Sequence, residues 1–190
     1  MRKRALDYAL RVRLPLTIVV ILISFALTYY VSRSERDGVG YAPEQPIAYS
    51  HQLHAGKLEI DCQYCHTGVE KGRHAMVPPA QTCMNCHSIV KTDSPEIQKL
   101  TQYYENGEPI PWKRIHKVPD YAYFNHSVHV NKGIDCAHCH GDLTKMEVVQ
   151  QVHSFTMGNC LSCHRNAHER MPEIADQINK GPENCNACHR

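Results

Sequence analysis

The sequence predicts a mainly α-helical and irregular fold, made of short helices and loops, that follows one transmembrane helix at the N-terminus. Three observations favour this class. All 10 cysteines among the 190 residues stand in five copies of the pattern C-x-x-C-H. Residues 14–31 form a run without any charge. The chain has only 3 Phe and 1 Trp, so its own side chains supply a thin hydrophobic core. Something other than large side chains must therefore fill the interior.

The uncharged run at residues 14–31 is long enough to span a bilayer if its ends reach the headgroups. The preceding segment, residues 1–13, carries five Lys/Arg against one Asp and predicts a basic cytoplasmic tail. Everything after residue 31 is then expected outside the cytoplasm. A cleaved signal peptide is the alternative, but the bulky residues at 27–30 make a poor cleavage site. Residues 32–48, rich in Gly and Pro towards their end, predict a linker.

The C-x-x-C-H pattern has a chemical reason. Two thiols three positions apart can each add to a vinyl group of haem, and the following His then lies below the iron as its proximal ligand. The predicted attachment cysteines are Cys62, Cys65, Cys83, Cys86, Cys136, Cys139, Cys160, Cys163, Cys185 and Cys188. The predicted proximal ligands are His66, His87, His140, His164 and His189.

Three other uses of such cysteines explain the sequence less well. Zinc ribbons need two C-x-x-C pairs for each metal, and five pairs leave one over. A thioredoxin-like motif needs one pair beside a βαβ pattern, and disulfides do not require a His after each second Cys. The sequence therefore predicts five covalently bound haems that form the core of residues 49–190. The formal charge of residues 32–190 is about −2 before haem propionates are counted, which disfavours nucleic-acid binding.

Two His-x-x-His pairs predict distal iron ligands because they recur in the same context. His51 and His54 follow Tyr49, and His126 and His129 follow Phe124. Each pair precedes two attachment motifs, so residues 49–87 and 124–164 form an internal duplication. Residues three apart lie on one side of a helical turn, so one pair can serve two neighbouring haems. The fifth motif, at 185–189, has no counterpart in the repeat.

The distal ligand of the fifth haem stays open at this point. The candidates are His74, His116, His153 and Met157. A methionine ligand would matter because His/Met ligation raises the reduction potential of a haem.

Two helices are expected between the motifs. Ser94 and Pro95 favour the start of a helix over residues 95–106, which Gly107 would end. A second helix is expected over 172–180.

Three stretches resemble the pentahaem cytochrome c subunit of bacterial alternative complex III, a class III-like multihaem cytochrome c. They are residues 46–54 (PIAYSHQLH), 77–87 (VPPAQTCMNCH) and 112–130 (WKRIHKVPDYAYFNHSVHV). The resemblance implies a location in the bacterial inner membrane and an electron path from quinol to a monohaem cytochrome c or a terminal oxidase. It also implies an iron–sulfur, molybdoenzyme-like partner and polytopic quinol-binding partners, and it makes Met157 a more attractive ligand.

The expected function is therefore electron transfer within a quinol-oxidising membrane complex, without catalysis by this chain itself. A self-sufficient, membrane-anchored multihaem quinol dehydrogenase is the first alternative. A multihaem reductase is the second, but it needs an iron with an open coordination position, and none of the five motifs is distinguished from the others.

Overall fold

The computed structural model describes residues 6–32 and 38–190. The chain forms two compact units, Met1–Asp37 and Gly38–Arg190. Residues 1–5 of the expected basic tail and residues 33–37 of the expected linker lie outside the described residues.

The first unit contains one apolar helix. It runs over Leu6–Val31, is 26 residues long, and reaches a mean hydropathy of 2.2. It contains a π-helical stretch, Ala9–Arg13, which is followed by the regular helix α1, Leu14–Val31. Thr17 and Ser24 donate their hydroxyls to backbone carbonyls one turn earlier, so these polar groups are satisfied within the helix itself. The helix is long and apolar enough to cross a membrane, which is compatible with a single-pass anchor.

The second unit consists of short helices joined by irregular segments, and its described residues contain no β-strand. The α-helices are α2 (Cys62–Cys65), α3 (Ala80–His87), α4 (Pro95–Glu105), α5 (His126–Val130), α6 (Ala137–His140), α7 (Met157–Arg165), α8 (Ala167–Arg170) and α9 (Cys185–Cys188). A π-helical turn covers Gln52–Lys57, and 3-10 turns cover Leu143–Lys145 and Pro172–Ile174. This architecture agrees with the expected helical and irregular class.

The hydrophobic core of the second unit is thin, as the composition predicts. The buried apolar side chains among the described residues 38–190 are Ile47, Leu100, Ala167, Met171 and Ile178. Three of them, Ala167, Met171 and Ile178, form one small cluster near the C-terminus. A unit of this size needs far more buried apolar surface than these side chains provide.

One predicted helix is present and the other is wrong. Helix α4 begins at Pro95 after the N-cap Ser94 and ends just before Gly107, whose φ of +66° suits a residue without a side chain. Residues 172–180 form only a 3-10 turn followed by irregular chain. Burial of Ile178 against α8 and a hydrogen bond from the Gly181 amide to the His164 carbonyl (2.9 Å) draw this segment out of helical geometry.

The two duplicated halves pack against each other through their distal turns. The Gln52 amide donates to the Met146 carbonyl (2.9 Å), and the Ser50 hydroxyl donates to Glu147 (2.6 Å). In the reverse direction, the Ser127 amide of α5 donates to the Gly72 carbonyl (3.1 Å). Each distal turn is therefore supported by the segment that follows an attachment motif in the other half. Residues 146–147 support the turn that begins at His51, and Gly72 supports α5.

Candidate haem-binding sites

Each C-x-x-C-H motif is folded as one helical turn. The amides of His66, His140 and His189 each donate to the carbonyl of the motif's first Cys at 2.9 Å. The other two motifs lie within α3 and α7. Because residues three and four apart share a face of a helix, both thiols and the imidazole of a motif lie on one side. We number the sites one to five in chain order, by the motifs 62–66, 83–87, 136–140, 160–164 and 185–189.

Four pairs of histidine rings face each other, each joining a predicted distal residue to a predicted proximal one. The ring centroids are 6.5 Å apart in His51–His66, 6.1 Å in His54–His87, 6.4 Å in His126–His140, and 6.2 Å in His129–His164. The four distances lie within a narrow range although the interplanar angles extend from 3° to 65°. The constant quantity is therefore the separation of the rings.

The common separation fits an iron atom held between two imidazoles. With metal–nitrogen bonds of about 2.0 Å on both sides, the ring centroids stand about 6.3 Å apart. Rings packed directly against each other would come closer, as Tyr49 and His54 do at 4.4 Å. The residues present at sites one to four thus fit a haem iron with two axial histidines.

Hydrogen bonds to backbone carbonyls set the tautomer of most of these rings. A carbonyl oxygen only accepts, so a ring nitrogen bonded to it carries the proton, and Nε2 is left with a lone pair for metal. The Nδ1–H groups donate, over 2.6–3.0 Å, in the pairs His54–Ser50, His66–Met76, His87–Val90, His126–Arg73, His129–Asn125, His164–Pro182 and His189–Tyr121. Sequence reasoning missed these acceptors because backbone carbonyls leave no signature in a sequence.

Burial favours the neutral form of three of the ligand rings. It lowers the pKa of His51 to about 4 and that of His140 to about 3, with nearby histidines adding to the effect. Burial also lowers the pKa of His129. A neutral imidazole is the form that binds metal, so the lowered pKa of these three rings suits them to a metal site.

An aromatic ring precedes each distal pair and contacts both of its members in the same way. Tyr49 stacks on His54 at 4.4 Å and meets His51 edge-on at 4.9 Å. Phe124 stacks on His129 at 4.6 Å and meets His126 edge-on at 4.8 Å. The duplication seen in the sequence is therefore also a duplication of geometry.

The residue between the aromatic ring and the first His anchors the turn in both halves. Ser50 accepts a hydrogen bond from the Leu53 amide (3.1 Å) through its hydroxyl. Asn125 accepts one from the Ser127 amide (3.0 Å) through its side-chain oxygen, and so caps α5. Such caps favour the first turn of a helix, here the turn that carries the distal ligands.

Site five is built differently. His189 donates to the Tyr121 carbonyl (3.0 Å), and its ring lies 5.8 Å from the Tyr121 ring. Among the described residues 38–190, Tyr121 is the aromatic side chain that the His189 ring contacts. The Tyr123 amide donates to the Cys188 carbonyl (2.7 Å), which fixes the motif to the chain just before α5.

The remaining candidates for the distal ligand of site five lie apart from one another. His116 is half-buried edge-on against the His140 ring at 4.3 Å, and its Nε2 is buried without a hydrogen-bond partner. His74 and His153 are exposed. Met157 is the first residue of α7 and is 66% exposed. None of these three histidines has a ring contact with His189 within the part of the chain described by the structure.

Part of this chain is similar to a known protein family. Residues 122–190 match the family described as cytochrome c7 and related cytochrome c. These residues form a cytochrome c7-like multihaem domain. Sites three, four and five lie within it. Cytochromes c hold haem covalently through thioether links and transfer electrons, so this cytochrome c domain carries haem c for electron transport.

A curated relative extends the similarity. The chain is 33% identical over 98 residues to the menaquinone reductase multihaem cytochrome c subunit of Nitratidesulfovibrio vulgaris. The alignment covers 51% of this chain and 46% of the relative. The chain thus spans about half the length of the curated relative that it matches, and shares with it a multihaem cytochrome c segment.

Proposed function

We propose that this chain is a membrane-anchored electron-transfer subunit with five c-type haems, each bound by one C-x-x-C-H motif. The observation that carries the proposal is the set of four facing histidine pairs, whose centroid separations of 6.1–6.5 Å suit axial ligation of iron. The proposed organisation is a basic tail at 1–13, an anchor at 14–31, a linker at 32–48 and a haem domain at 49–190.

Each group of residues has one task in this proposal. A bound haem supplies a reversible one-electron carrier. The motif cysteines hold it covalently, and the motif histidines bind from the proximal side. His51, His54, His126 and His129 bind from the distal side at sites one, two, three and four. The carbonyls that accept from Nδ1 fix ring orientation and raise the basicity of Nε2.

Met157 is the preferred distal candidate for site five. It lies one helical turn before Cys160, so both point to one side of α7. The same helix adjoins the approach to site five, because Arg165 pairs with Glu183 (2.7 Å), two residues before Cys185. His116 instead lies against His140 of site three, and His74 follows the first motif in the other half.

The electron donor in this proposal is quinol, oxidised by partner subunits of an alternative complex III-like assembly in the bacterial inner membrane. The apolar helix Leu14–Val31 contains no charged residue, so it offers no acid–base group for quinol chemistry. The proposed partners are an iron–sulfur, molybdoenzyme-like subunit and polytopic quinol-binding subunits. The proposed acceptor is a monohaem cytochrome c or a terminal oxidase.

A second candidate function is electron transfer through the same haems in the opposite direction, from a reduced cytochrome to quinone. The name of the curated relative, a menaquinone reductase subunit, favours it. The native complex separates the two candidates. Reduction of the haems by a menaquinol analogue, followed by reoxidation by a cytochrome c, supports the first, whereas net quinone reduction by a low-potential cytochrome supports the second. Quinol oxidation by the purified chain alone would instead favour a self-sufficient dehydrogenase.

The decisive test of the haem assignment is a count on the chain within its native complex. Pyridine haemochrome analysis should find five covalent haems per polypeptide, and electron paramagnetic resonance should find all of them low-spin. Fewer than five haems would overturn the assignment. A high-spin ferric haem in undamaged protein would contradict ligation at every site and would support the reductase alternative.

A further inference from the structure

Sites one and two are neighbours. Their distal ligands, His51 and His54, lie on one turn. Their attachment loops are also in direct contact, because the side-chain amide of Asn85 donates to the Tyr64 hydroxyl (3.1 Å). Tyr64 lies between the cysteines of the first motif, and Asn85 between those of the second.

Sites three, four and five follow one another in the second half. Sites three and four share α5, which carries His126 and His129. Site four meets the approach to site five, since Nδ1–H of His164 donates to the Pro182 carbonyl (2.7 Å) and Arg165 pairs with Glu183 (2.7 Å). A β-carbon at Gly181 would stand 2.5 Å from the His164 ring, so the backbone passes directly against it.

The two halves meet at sites one and three. His126, the distal residue of site three, donates to the carbonyl of Arg73, seven residues after the proximal residue of site one (2.6 Å). Two further hydrogen bonds join the same segments: Nε–H of Arg73 donates to the Phe124 carbonyl (3.3 Å), and the side-chain amide of Asn131 donates to the Glu70 carbonyl (3.2 Å). The Ser127 amide of α5 also donates to the Gly72 carbonyl (3.1 Å), so the turn that carries His126 rests on the segment that follows site one.

We infer that the five sites form a single file in the order two, one, three, four, five, so that the spatial order differs from the chain order at the first two sites. This inference rests on the proposed function, because it needs haem at every motif. Sites two and five are then the two ends of the path, and site one connects the halves. An electron entering at one end must cross site three to reach the other.

With haem bound at every motif, each transfer along this file would oxidise one ferrous haem and reduce its ferric neighbour by one electron. No bond is made or broken in the chain. The electron comes from quinol bound to a partner subunit in the proposed direction, and the acceptor is the haem iron of a soluble or oxidase-bound cytochrome. Exchange with those partners is expected at sites two and five, because each of the three inner sites has a haem on both sides.

A cryo-electron microscopy map of the native complex tests the order directly, because iron positions and thioether links identify every haem by its cysteines. The expected result places the haem attached to Cys62 and Cys65 between the haem attached to Cys83 and Cys86 and the haem attached to Cys136 and Cys139. A map in which site two is nearest to site three, or in which site one is an end, would overturn the order.

A haem count on the same sample distinguishes failure of the proposed function from failure of the proposed haem order alone. Fewer than five haems would contradict the proposed function and the order together. Five haems in another spatial order would overturn the order alone and leave the electron-transfer proposal intact.

Discussion

The imidazole planes of His54 and His87 are inclined by 65°, whereas those of His51 and His66 on the neighbouring site are inclined by only 5°. The two distal residues belong to the same turn, so one short segment presents its ligands at two different angles to its two partners. Ferric haem with steeply inclined axial imidazoles gives a highly anisotropic low-spin resonance, and parallel planes give a rhombic one. Adjacent haems should therefore be distinguishable by spectroscopy.

The first prediction concerns the variant His54→Met. Because methionine replaces the inclined imidazole at site two, the most anisotropic low-spin signal should disappear and the potential of one haem should rise. Electron paramagnetic resonance during a redox titration measures both changes. His168→Met is the matched control, since His168 is exposed and faces no ring among the residues that the structure describes. Persistence of the anisotropic signal in His54→Met would show that His54 is not the ligand.

The second prediction concerns Tyr49, which stacks on His54. Tyr49→Leu removes an aromatic contact worth about 0.5–1.5 kcal/mol, so the His54 ring should reorient and its resonance should broaden or shift. Tyr49→Phe is the control, because Phe124 occupies the equivalent position of the other half without a hydroxyl. Equal spectra for the Leu and Phe variants would mean that the aromatic face does not orient the ligand. The same test at site four compares Phe124→Leu with the unmodified protein, because Phe124 stacks on His129.

The sequence alone predicts the chemistry of these sites better than their arrangement. Spacing identifies His51, His54, His126 and His129 as distal candidates, because a local repeat carries them. Which proximal ring each one faces depends on how distant segments pack, and no local pattern encodes that packing. The thin core follows from composition, since a chain with only 3 Phe and 1 Trp has few large side chains to bury.

The incorrect prediction of a helix at 172–180 has a related cause. Local residue preferences favoured a helix there, but the segment serves as the cover of site four. It buries Ile178 beside Ala167 and places Gly181 against His164. Tertiary contacts thus override local propensity where the chain passes close to a ligand.

The third prediction concerns the side chain that caps α5. Asn125→Ala removes the acceptor for the Ser127 amide and should cost about 0.5–2 kcal/mol of local stability. Hydrogen–deuterium exchange over residues 126–131 should become faster, while exchange over residues 51–57 should be unchanged. Ser50→Ala is expected to show the converse pattern, because Ser50 supports the other distal turn. Equal acceleration of both turns by either variant would contradict separate local capping.

The fourth prediction concerns the close approach of Gly181 to His164. In Gly181→Ala the new methyl group would stand 2.5 Å from Cγ of His164, well inside van der Waals contact, so the ring or the backbone must move. Since His164 donates to the carbonyl of the next residue, Pro182, the same movement should weaken the bond that holds its tautomer. The bond between His164 and the haem iron of site four should then weaken, and this iron should bind carbon monoxide in the reduced protein. The unmodified protein should bind none. Gly72→Ala is the control, because Gly72 has open space where the methyl group would go. If the difference spectra show no carbon monoxide binding in either variant, the close approach of Gly181 does not constrain His164.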